Sequence, residues 1–194
     1  YGIEKDTRDR RFMPTSGSII KFNQSLPLIA DRSIIGNTFS SSIYRSISED
    51  VIGATKIYLS SIDGLGSDNV RLSKRISLPS RRIRGFERGK IGPVDGTDHV
   101  GGNHAAAVNF EVNLPKLLPE STKTDIGLFL DFANVWGVDY DETLGESSKL
   151  RSSTGVAASW LSPLGPMSFI LSSSLSKAET DVTESFNFNL GTTF

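Results

Sequence analysis

Two carboxylates and two histidines are the residues best suited to chemistry, yet their spacing forms no familiar catalytic set. Glu111 and Asp131 could act as an acid–base pair, because such sites use two carboxylates. His99 and His104 do not form a metal-ligand spacing with the nearby aspartates. The chain has no cysteine, which excludes a thiol nucleophile, a cysteine zinc site and an iron–sulfur cluster. We therefore expect no enzyme activity, no metal and no cofactor.

A basic run lies within a long glycine-rich segment at residues 63–100. Its cations are Arg81, Arg82, Arg84, Arg88 and Lys90. The run is not a phosphate-binding loop, because it lacks the Gly-Lys-Ser/Thr ending after a strand. A segment of this length inside a compact fold is usually functional or disordered. Taken alone, these residues favour a solvated loop that binds anionic surface sugars or no ligand.

The size and charge of the chain limit the classes of function open to it. The chain has 194 residues and a formal net charge of −1, so we expect one domain or part of a larger one. A net charge near zero argues against a general nucleic-acid binder. The first residue is Tyr1 and no signal peptide follows it, so we expect a mature piece or a fragment. The chain contains no run of about 18 apolar residues that would predict a transmembrane helix.

The main pattern in the sequence is an alternation of apolar and polar residues, which is typical of half-buried β-strands. In residues 103–114, for example, Val108, Phe110 and Val112 share one face, and Asn109 lies on the other. No helical period persists for as long as about 12 residues. The alternation predicts strands near residues 2–11, 17–29, 33–47, 51–62, 103–114, 125–136 and 185–194, with a hairpin over 152–176.

An all-β chain with alternating faces is either a soluble sandwich or an antiparallel transmembrane β-barrel. Several features favour the barrel, beginning with strands that reach the ~9–11 residues of a tilted membrane crossing. The faces opposite the apolar ones carry mainly Gly, Ala, Ser and Asn, which suits a crowded lumen better than bulk water. Trp136, Trp160 and Phe194 lie near strand ends, where aromatic residues line the membrane interface. A sandwich with a carbohydrate-binding or adhesive role is the alternative.

The last predicted strand, residues 185–194, carries a further signal. Phe186, Phe188 and Leu190 alternate with polar residues, and Phe194 ends the chain. This pattern is the assembly signal of bacterial outer-membrane barrels, in which an extended segment pairs through its backbone and presents alternate side chains. An amphipathic strand that ends in phenylalanine by coincidence is the alternative interpretation.

Several motifs occur in the order in which one family carries them. They are Arg-Phe-Met-Pro-Thr-Ser-Gly at 11–17, Asp-Gly-Leu-Gly at 63–66, Arg-Gly-Phe at 84–86, Gly-Gly-Asn at 101–103, Trp-Leu-Ser-Pro-Leu-Gly-Pro at 160–166 and Phe-x-Phe-x-x-Gly-x-x-Phe at 186–194. With these motifs, nearly the whole chain resembles the BamA family of outer-membrane protein assembly factors. Two departures are visible: Arg11 stands where the family usually has glycine, and Ala133 replaces the glycine of an Asp-x-Gly pattern.

The resemblance implies a fold as well as a family. The family's barrel has sixteen strands and follows periplasmic POTRA domains. Residues 1–194 resemble the C-terminal half of that barrel, with about eight or nine strands, and the POTRA domains and first strand are absent. The resemblance also implies that the segment 63–100 folds back into the lumen. Half a barrel has two unpaired edges, and lipid hydrocarbon cannot form hydrogen bonds with the backbone N–H and C=O groups at those edges. We therefore expect a longer natural protein, and an open curved sheet from these residues.

The resemblance also assigns roles to particular residues. Arg84 is expected to pair with Glu111 and Asp131, which the alternation places on the non-lipid face of neighbouring strands. A planar guanidinium suits two carboxylates. Gly85 would allow a close backbone approach, and Phe86 would pack against the barrel wall. The turn motif contributes Trp160, Pro163, Gly165 and Pro166, and the last strand, one side of a lateral seam, contributes Phe186, Phe188, Asn189, Gly191 and Phe194.

The function implied by the resemblance is the assembly and insertion of β-barrel proteins into the bacterial outer membrane, without covalent chemistry. The implied partners are the lipid bilayer and its lipopolysaccharide, unfolded outer-membrane proteins, and assembly lipoproteins bound through the absent POTRA domains. No nucleic acid is expected. One alternative is a related pore that translocates proteins, although a two-partner secretion pore would more typically carry tyrosine in place of Phe86. A small structural or adhesive outer-membrane barrel is the other alternative.

Overall fold

The computed structural model describes residues 1–26, 33–66, 68–145, 149–163 and 165–191. The strands are β1 (Gly2–Asp6), β2 (Gly17–Ser25), β3 (Ile34–Ser48), β4 (Val51–Gly64), β5 (Val94–Asp95), β6 (Asp98–His99), β7 (His104–Leu114), β8 (Thr124–Trp136), β9 (Arg151–Ser162), β10 (Gly165–Ser176) and β11 (Phe186–Leu190). Short 3-10 helices cover Leu72–Lys74, Glu120–Thr122 and Glu142–Gly145. None of the helices in the described residues is long and apolar enough to cross a membrane. The end of the predicted second strand, residues 27–29, lies outside the described residues.

Nine of the strands form one antiparallel sheet in the order β1-β2-β3-β4-β7-β8-β9-β10-β11. Each strand pairs with the next one along the chain, except that β4 pairs with β7 and the short strands β5 and β6 form a separate hairpin. Short turns favour this meander because antiparallel neighbours need no crossover. Within the described residues, β1 and β11 are the two outer strands of the sheet. The prediction of an all-β fold with eight or nine strands in an open antiparallel sheet is confirmed.

The first strand is shorter than predicted because a turn follows it. β1 ends at Asp6 rather than near residue 11. The Asp9 carboxylate accepts hydrogen bonds from the backbone N–H groups of Thr15 (2.9 Å) and Ser16 (3.1 Å) and from the Thr15 hydroxyl (2.7 Å). Burial alone would raise the pKa of Asp9, but these hydrogen bonds lower it to about 2. An aspartate that binds nearby backbone groups favours a turn over a strand.

The last strand begins one residue later than predicted, and the part of the prediction at 192–194 lies outside the described residues. β11 covers Phe186–Leu190, whereas the alternation predicts a strand over residues 185–194. Gly191 lies at a bend directly after the strand, and its backbone N–H donates a hydrogen bond to the carbonyl oxygen of Pro166 (2.9 Å). This hydrogen bond continues the pairing of β10 with β11 by one residue pair. Phe194 lies outside the described residues.

The sheet has one apolar face and one face of small and polar residues. The apolar face, here called the outer face, exposes Ile43, Leu59, Phe110, Leu128, Val156, Phe169, Leu171 and Phe188. The opposite, inner face carries Ala107 and Asn109 of β7 and Gly127 and Asp131 of β8, all of them buried. Large exposed apolar surfaces mark contact sites, and an apolar outer band is typical of a membrane barrel.

The core lies between the inner face and the long connection from β4 to β7, residues 65–103, here called the long loop. Large apolar side chains of the loop pack on small side chains of the sheet. The cluster consists of Leu78, Ile83, Phe86 and Ile91 from the loop and Ala105, Ala107, Ala133 and Val135 from β7 and β8. Alanines on the sheet leave room for the bulky loop residues, so the two surfaces fit closely. This core contains one sheet, which differs from the two facing sheets of a sandwich.

The connections between strands alternate between the two ends of the sheet. The connections from β4 to β7, from β8 to β9 and from β10 to β11 leave the strands at one end, here called the loop end. The connections from β3 to β4, from β7 to β8 and from β9 to β10 leave them at the other, the turn end. Trp136 closes β8 at the loop end, and Trp160 lies near the close of β9 at the turn end. Aromatic residues at both ends are typical of strands that meet two membrane interfaces.

Candidate functional site

The structure brings Arg84 together with both predicted carboxylates. Its Nε atom donates to one Asp131 oxygen (2.7 Å) and its Nη2 atom to the other (2.6 Å), while the Arg84 backbone N–H also donates to Asp131 (3.0 Å). The remaining Nη1 atom lies 2.9 Å from a Glu111 carboxylate oxygen. The side chain of Asp131 is 0% exposed. A buried charge is costly unless it is paired, and here the guanidinium fork engages two carboxylates at once.

Two further residues complete this charge cluster, and sequence reasoning did not single them out. The Lys56 ammonium of β4 lies 2.7 Å from the second oxygen of Glu111, so two cations balance two carboxylates. The Arg84 guanidinium carbon lies 3.7 Å from the centre of the Phe129 ring, which adds a cation–π contact. Phe129 shares the inner face with Asp131, so the alternation could have located it as a large residue on a face of small ones.

The backbone that precedes Arg84 is held by Asn109 of β7. The Asn109 amide is buried and donates a hydrogen bond to the carbonyl oxygen of Arg82 (2.9 Å). The Arg82 guanidinium carbon lies 4.7 Å from the centre of the Tyr58 ring. Burial lowers the pKa of Arg82 below its ordinary value. The loop is therefore positioned by backbone contacts as well as by the Arg84 side chain.

Gly85 and Phe86 lie where the predicted roles require them. Gly85 has a φ of +88°, and a Cβ atom there would lie 3.2 Å from Ser153 Cβ and 3.4 Å from Ser172 Cβ. A side chain would therefore meet both strain and crowding. Phe86 is 1% exposed and belongs to the core cluster. The tripeptide thus combines a charge, a close backbone approach and an apolar anchor.

A second attachment holds the first part of the long loop. Arg75 donates a hydrogen bond to Asp139 (2.6 Å) in the β8–β9 connection, and the Val70 backbone N–H donates to the same carboxylate (2.5 Å). The Arg75 guanidinium carbon lies 4.6 Å from the centre of the Tyr140 ring, whose hydroxyl donates to Asp95 (2.8 Å). Burial alone would raise the pKa of Asp139, but its hydrogen bonds and the charge of Arg75 lower it overall.

A third attachment is a buried ion pair between β9 and the β10–β11 connection. Arg151 donates to both carboxylate oxygens of Asp181 (2.9 and 3.0 Å) and to the side-chain oxygen of Asn134 (2.5 Å). Both charged side chains are 0% exposed. Sequence reasoning missed this pair, because nothing in the local pattern links two residues on either side of a hairpin.

The two histidines lie in separate environments. His99 shares a hydrogen bond of 3.0 Å with the carbonyl oxygen of Thr180, and the ring centre of His104 lies 5.8 Å from that of Trp136. In the part of the chain that the structure describes, no group of three or more His, Asp or Glu side chains could hold a metal ion.

The residues of the turn and of the last strand meet at the turn end, apart from the charge cluster. The Ser162 hydroxyl donates to the carbonyl oxygen of Gly165 (2.7 Å), and Pro163 lies between them. Pro166 accepts the hydrogen bond from Gly191, so the turn motif contacts the end of β11. Trp160 is exposed on the outer face beside this turn.

The side chains of β11 divide between the two faces of the sheet. Phe186 and Phe188 are exposed on the outer face, and the Phe188 ring centre lies 5.1 Å from that of Phe169 in β10. Asn189 donates a hydrogen bond to Asn187 (2.6 Å). The strand is thus apolar toward the outer face and polar on the other.

This geometry can hold a loop against a sheet, and it leaves little capacity for acid–base chemistry. Both oxygens of Asp131 bind Arg84, and the two oxygens of Glu111 bind Arg84 and Lys56. Each of these carboxylate oxygens is therefore already bound by a cation. The arrangement favours a positioning role for the cluster.

The comparisons with known proteins agree with the fold. The Omp85 superfamily domain matches residues 1–194, and the chain belongs to the Omp85 superfamily. Within that class the chain is similar to the C-terminal part of the barrel of BamA, an outer membrane protein assembly factor. This family membership places the chain in a bacterial outer membrane.

Individual relatives cover the chain to different extents. BamA of Neisseria meningitidis serogroup B is 33% identical over 139 residues, which are 58% of this chain and 17% of that protein. BamA of Neorickettsia risticii is 25% identical over 199 residues, 100% of this chain and 27% of that protein. The crystal structure of BamA from Haemophilus ducreyi lacking POTRA domains 1–3 matches with a TM-score of 0.86 and 25% identity, over 96% of this chain and 40% of that one. The chain spans less than a third of the length of either of these curated relatives.

Proposed function

We propose that this chain is part of an insertase that assembles β-barrel proteins in the bacterial outer membrane without covalent chemistry. The observation that carries the proposal is the attachment of the long loop to the inner face through Arg84, Glu111 and Asp131. The similarity to proteins named outer membrane protein assembly factors supports it. A loop held in this way braces the barrel wall from the inner face, and the last strand lies at the edge of the described sheet, where a new strand can add.

The last strand has the properties that a lateral seam requires. β11 has five residues and a single partner, β10, among the described strands. Its other edge presents backbone N–H and C=O groups, which hydrocarbon cannot satisfy. A new strand could satisfy them by adding to the sheet. The proposed mechanism is therefore strand exchange at a weak edge, and the free energy comes from folding of the substrate.

The proposal extends to partners and to the rest of the protein. The substrates are unfolded outer-membrane proteins, and the apolar outer face contacts the lipid bilayer with its lipopolysaccharide. The complete protein carries the remaining strands and POTRA domains, through which assembly lipoproteins bind. Sequencing the reading frame that encodes Tyr1 tests this extension, because a short frame without POTRA repeats would favour a small structural barrel.

A reconstitution experiment tests the function. The intact protein is placed in lipid vesicles, unfolded outer-membrane protein is added, and its folding is followed by protease protection. We expect faster insertion than in protein-free vesicles, and a loss of about tenfold in rate for Arg84→Ala, because the variant leaves buried carboxylates unpaired. Arg81→Ala is the matched control, since Arg81 is an exposed arginine of the same loop.

Two outcomes would contradict the proposal. Equal insertion rates with and without the protein would exclude an insertase. Delivery of the added protein into the vesicle interior, instead of into the membrane, would favour the alternative of a translocating pore.

A further inference from the structure

The β10–β11 connection, residues 177–185, pairs with the Arg-Gly-Phe segment through its backbone. The Glu87 N–H donates to the carbonyl oxygen of Val182 (3.0 Å), and the Glu184 N–H donates to that of Gly85 (3.1 Å). These two hydrogen bonds flank an antiparallel bridge between Phe86 and Thr183. The segment just before the last strand therefore forms a short ladder with the tip of the long loop.

The Arg151–Asp181 ion pair anchors the same connection to the sheet. Asp181 directly precedes the paired residues and also accepts a hydrogen bond from the Ala178 backbone N–H (2.6 Å). Arg151 is the first residue of β9. Because both charged side chains are fully buried, removal of either one would leave an uncompensated charge. The ion pair thus fixes the position of the part of the connection that pairs with the long loop.

The connection leads without interruption into the last strand. The Ser172 N–H of β10 donates to the carbonyl oxygen of Ser185 (2.9 Å). β11 then pairs with β10 from Leu171–Phe186 to Met167–Leu190, a ladder of five residue pairs. The segment that pairs with residues 85–87 is therefore separated from β11 by Ser185 alone.

We propose that Arg151 and Asp181 are positioning residues that couple the long loop to the last strand. While the loop is held by Arg84, the ladder between 85–87 and 182–184 orders the beginning of β11. Release of the loop removes this ladder and frees the strand from its loop end. This coupling rests on the proposed function, in which β11 is one side of the seam. It names the contacts that control whether the seam opens.

Hydrogen exchange in the intact protein, reconstituted in lipid nanodiscs, tests the coupling. In Arg151→Met we expect amides of β11 to exchange about a hundredfold faster than in the unaltered protein, because a buried ion pair is broken. Arg75→Met is the matched control, since it also breaks an Arg–Asp pair, but one that attaches the long loop at Asp139, away from the β10–β11 connection. The control should loosen residues 70–76 and leave β11 protected. Equal effects of the two variants on β11 would overturn the proposal.

An engineered disulfide provides a second test that does not depend on the stability of a charge variant. Glu87 and Val182 are exposed and face each other in the ladder, and the chain has no cysteine of its own. With Glu87→Cys and Val182→Cys added to Arg151→Met, oxidation should restore the protection of β11 and reduction should remove it. Protection that stays low after oxidation would show that the ladder does not order the strand.

The insertion assay separates this proposal from the proposed function. In the otherwise unaltered protein, the oxidised cysteine pair should slow insertion about tenfold relative to the reduced pair, because the strand can no longer leave the loop. A protein without insertion activity in either state would refute the insertase function, while the exchange pattern would still decide the coupling. An oxidised pair that inserts substrate at the reduced rate would refute control of the seam.

Discussion

Arg84 binds its two carboxylates unequally, and this difference has consequences for single substitutions. Asp131 is fully buried and accepts three hydrogen bonds from Arg84. Glu111 binds one Arg84 nitrogen and shares its charge with Lys56. The aspartate therefore fixes the loop backbone as well as the guanidinium, whereas the glutamate balances two cations.

We expect Asp131→Asn to destabilise the intact protein more than Glu111→Gln. The first change leaves a buried guanidinium without its bidentate partner, which costs about 3–5 kcal/mol for a broken buried pair. The second change leaves Asp131 to hold Arg84, so its cost should be smaller. The free energy of unfolding, measured by denaturant titration in lipid vesicles, checks the order.

A surface ion pair provides the control for this comparison. Lys116 lies 2.9 Å from Asp50 at the turn end, and both side chains are largely exposed. Lys116→Ala should change the free energy of unfolding by less than about 1 kcal/mol, as exposed pairs do. A larger loss for Glu111→Gln than for Asp131→Asn would contradict the assigned roles.

At the scale of elements, the long loop is held at separate points instead of by regular structure. Its first part is attached through Arg75 and Asp139, and its centre is attached through Arg84 and, directly after it, through the ladder between 85–87 and 182–184. The Arg75 attachment lies apart from the other two. It can therefore be weakened while they stay in place.

The Asp139 attachment should be sensitive to acid. Because the folded-state pKa of Asp139 is below its ordinary value, its contribution to stability is complete above about pH 4, the ordinary aspartate range. That contribution is lost as the pH falls through the lower folded-state pKa. A spin label on Leu72→Cys, an exposed position near Val70, should become more mobile between pH 7 and pH 3.

The variant Asp139→Asn is the control for this pH dependence. The label should already be mobile at pH 7 in this variant, because the amide carries no charge for Arg75. A pH-dependent change of equal size in Asp139→Asn would show that another group causes the acid response.

The whole molecule is a sheet with an apolar outer face and a loop-covered inner face. Val156 is exposed on the outer face between Leu128 and Leu171. Its neighbour Ala157 faces the inner side, where it pairs with Gly127 of β8. These adjacent positions lie at nearly the same depth in the membrane and differ in the face they present.

We expect Val156→Lys to lower the free energy of unfolding from lipid vesicles by about 2–4 kcal/mol, the cost of a lysine at the lipid face. Ala157→Lys should cost less, because its ammonium group enters the polar interior. Denaturant titration of the two variants of the intact protein gives the comparison. Equal losses would contradict the assignment of the outer face to lipid.

The alternation of residues along the chain determined most of the strands and which face each residue occupies. This was possible because side-chain direction in a strand depends only on position along the chain. The placement of Glu111 and Asp131 on the inner face follows from that rule. The end of β1 did not follow from it, because Asp9 acts through turn contacts that alternation does not register.

Only the tertiary structure decided which distant residues meet, apart from the Arg84 pairing that the family resemblance implies. Lys56 reaches Glu111 because β4 pairs with β7 across the long loop, and Arg151 reaches Asp181 because a hairpin brings two strand ends together. The long loop packs on the inner face, and this packing places the core between the loop and the sheet. Strand register and loop packing are non-local, since they depend on pairings between segments far apart in the chain. The sequence therefore determined the faces of the sheet, and the fold determined the contacts that hold the loop and the last strand.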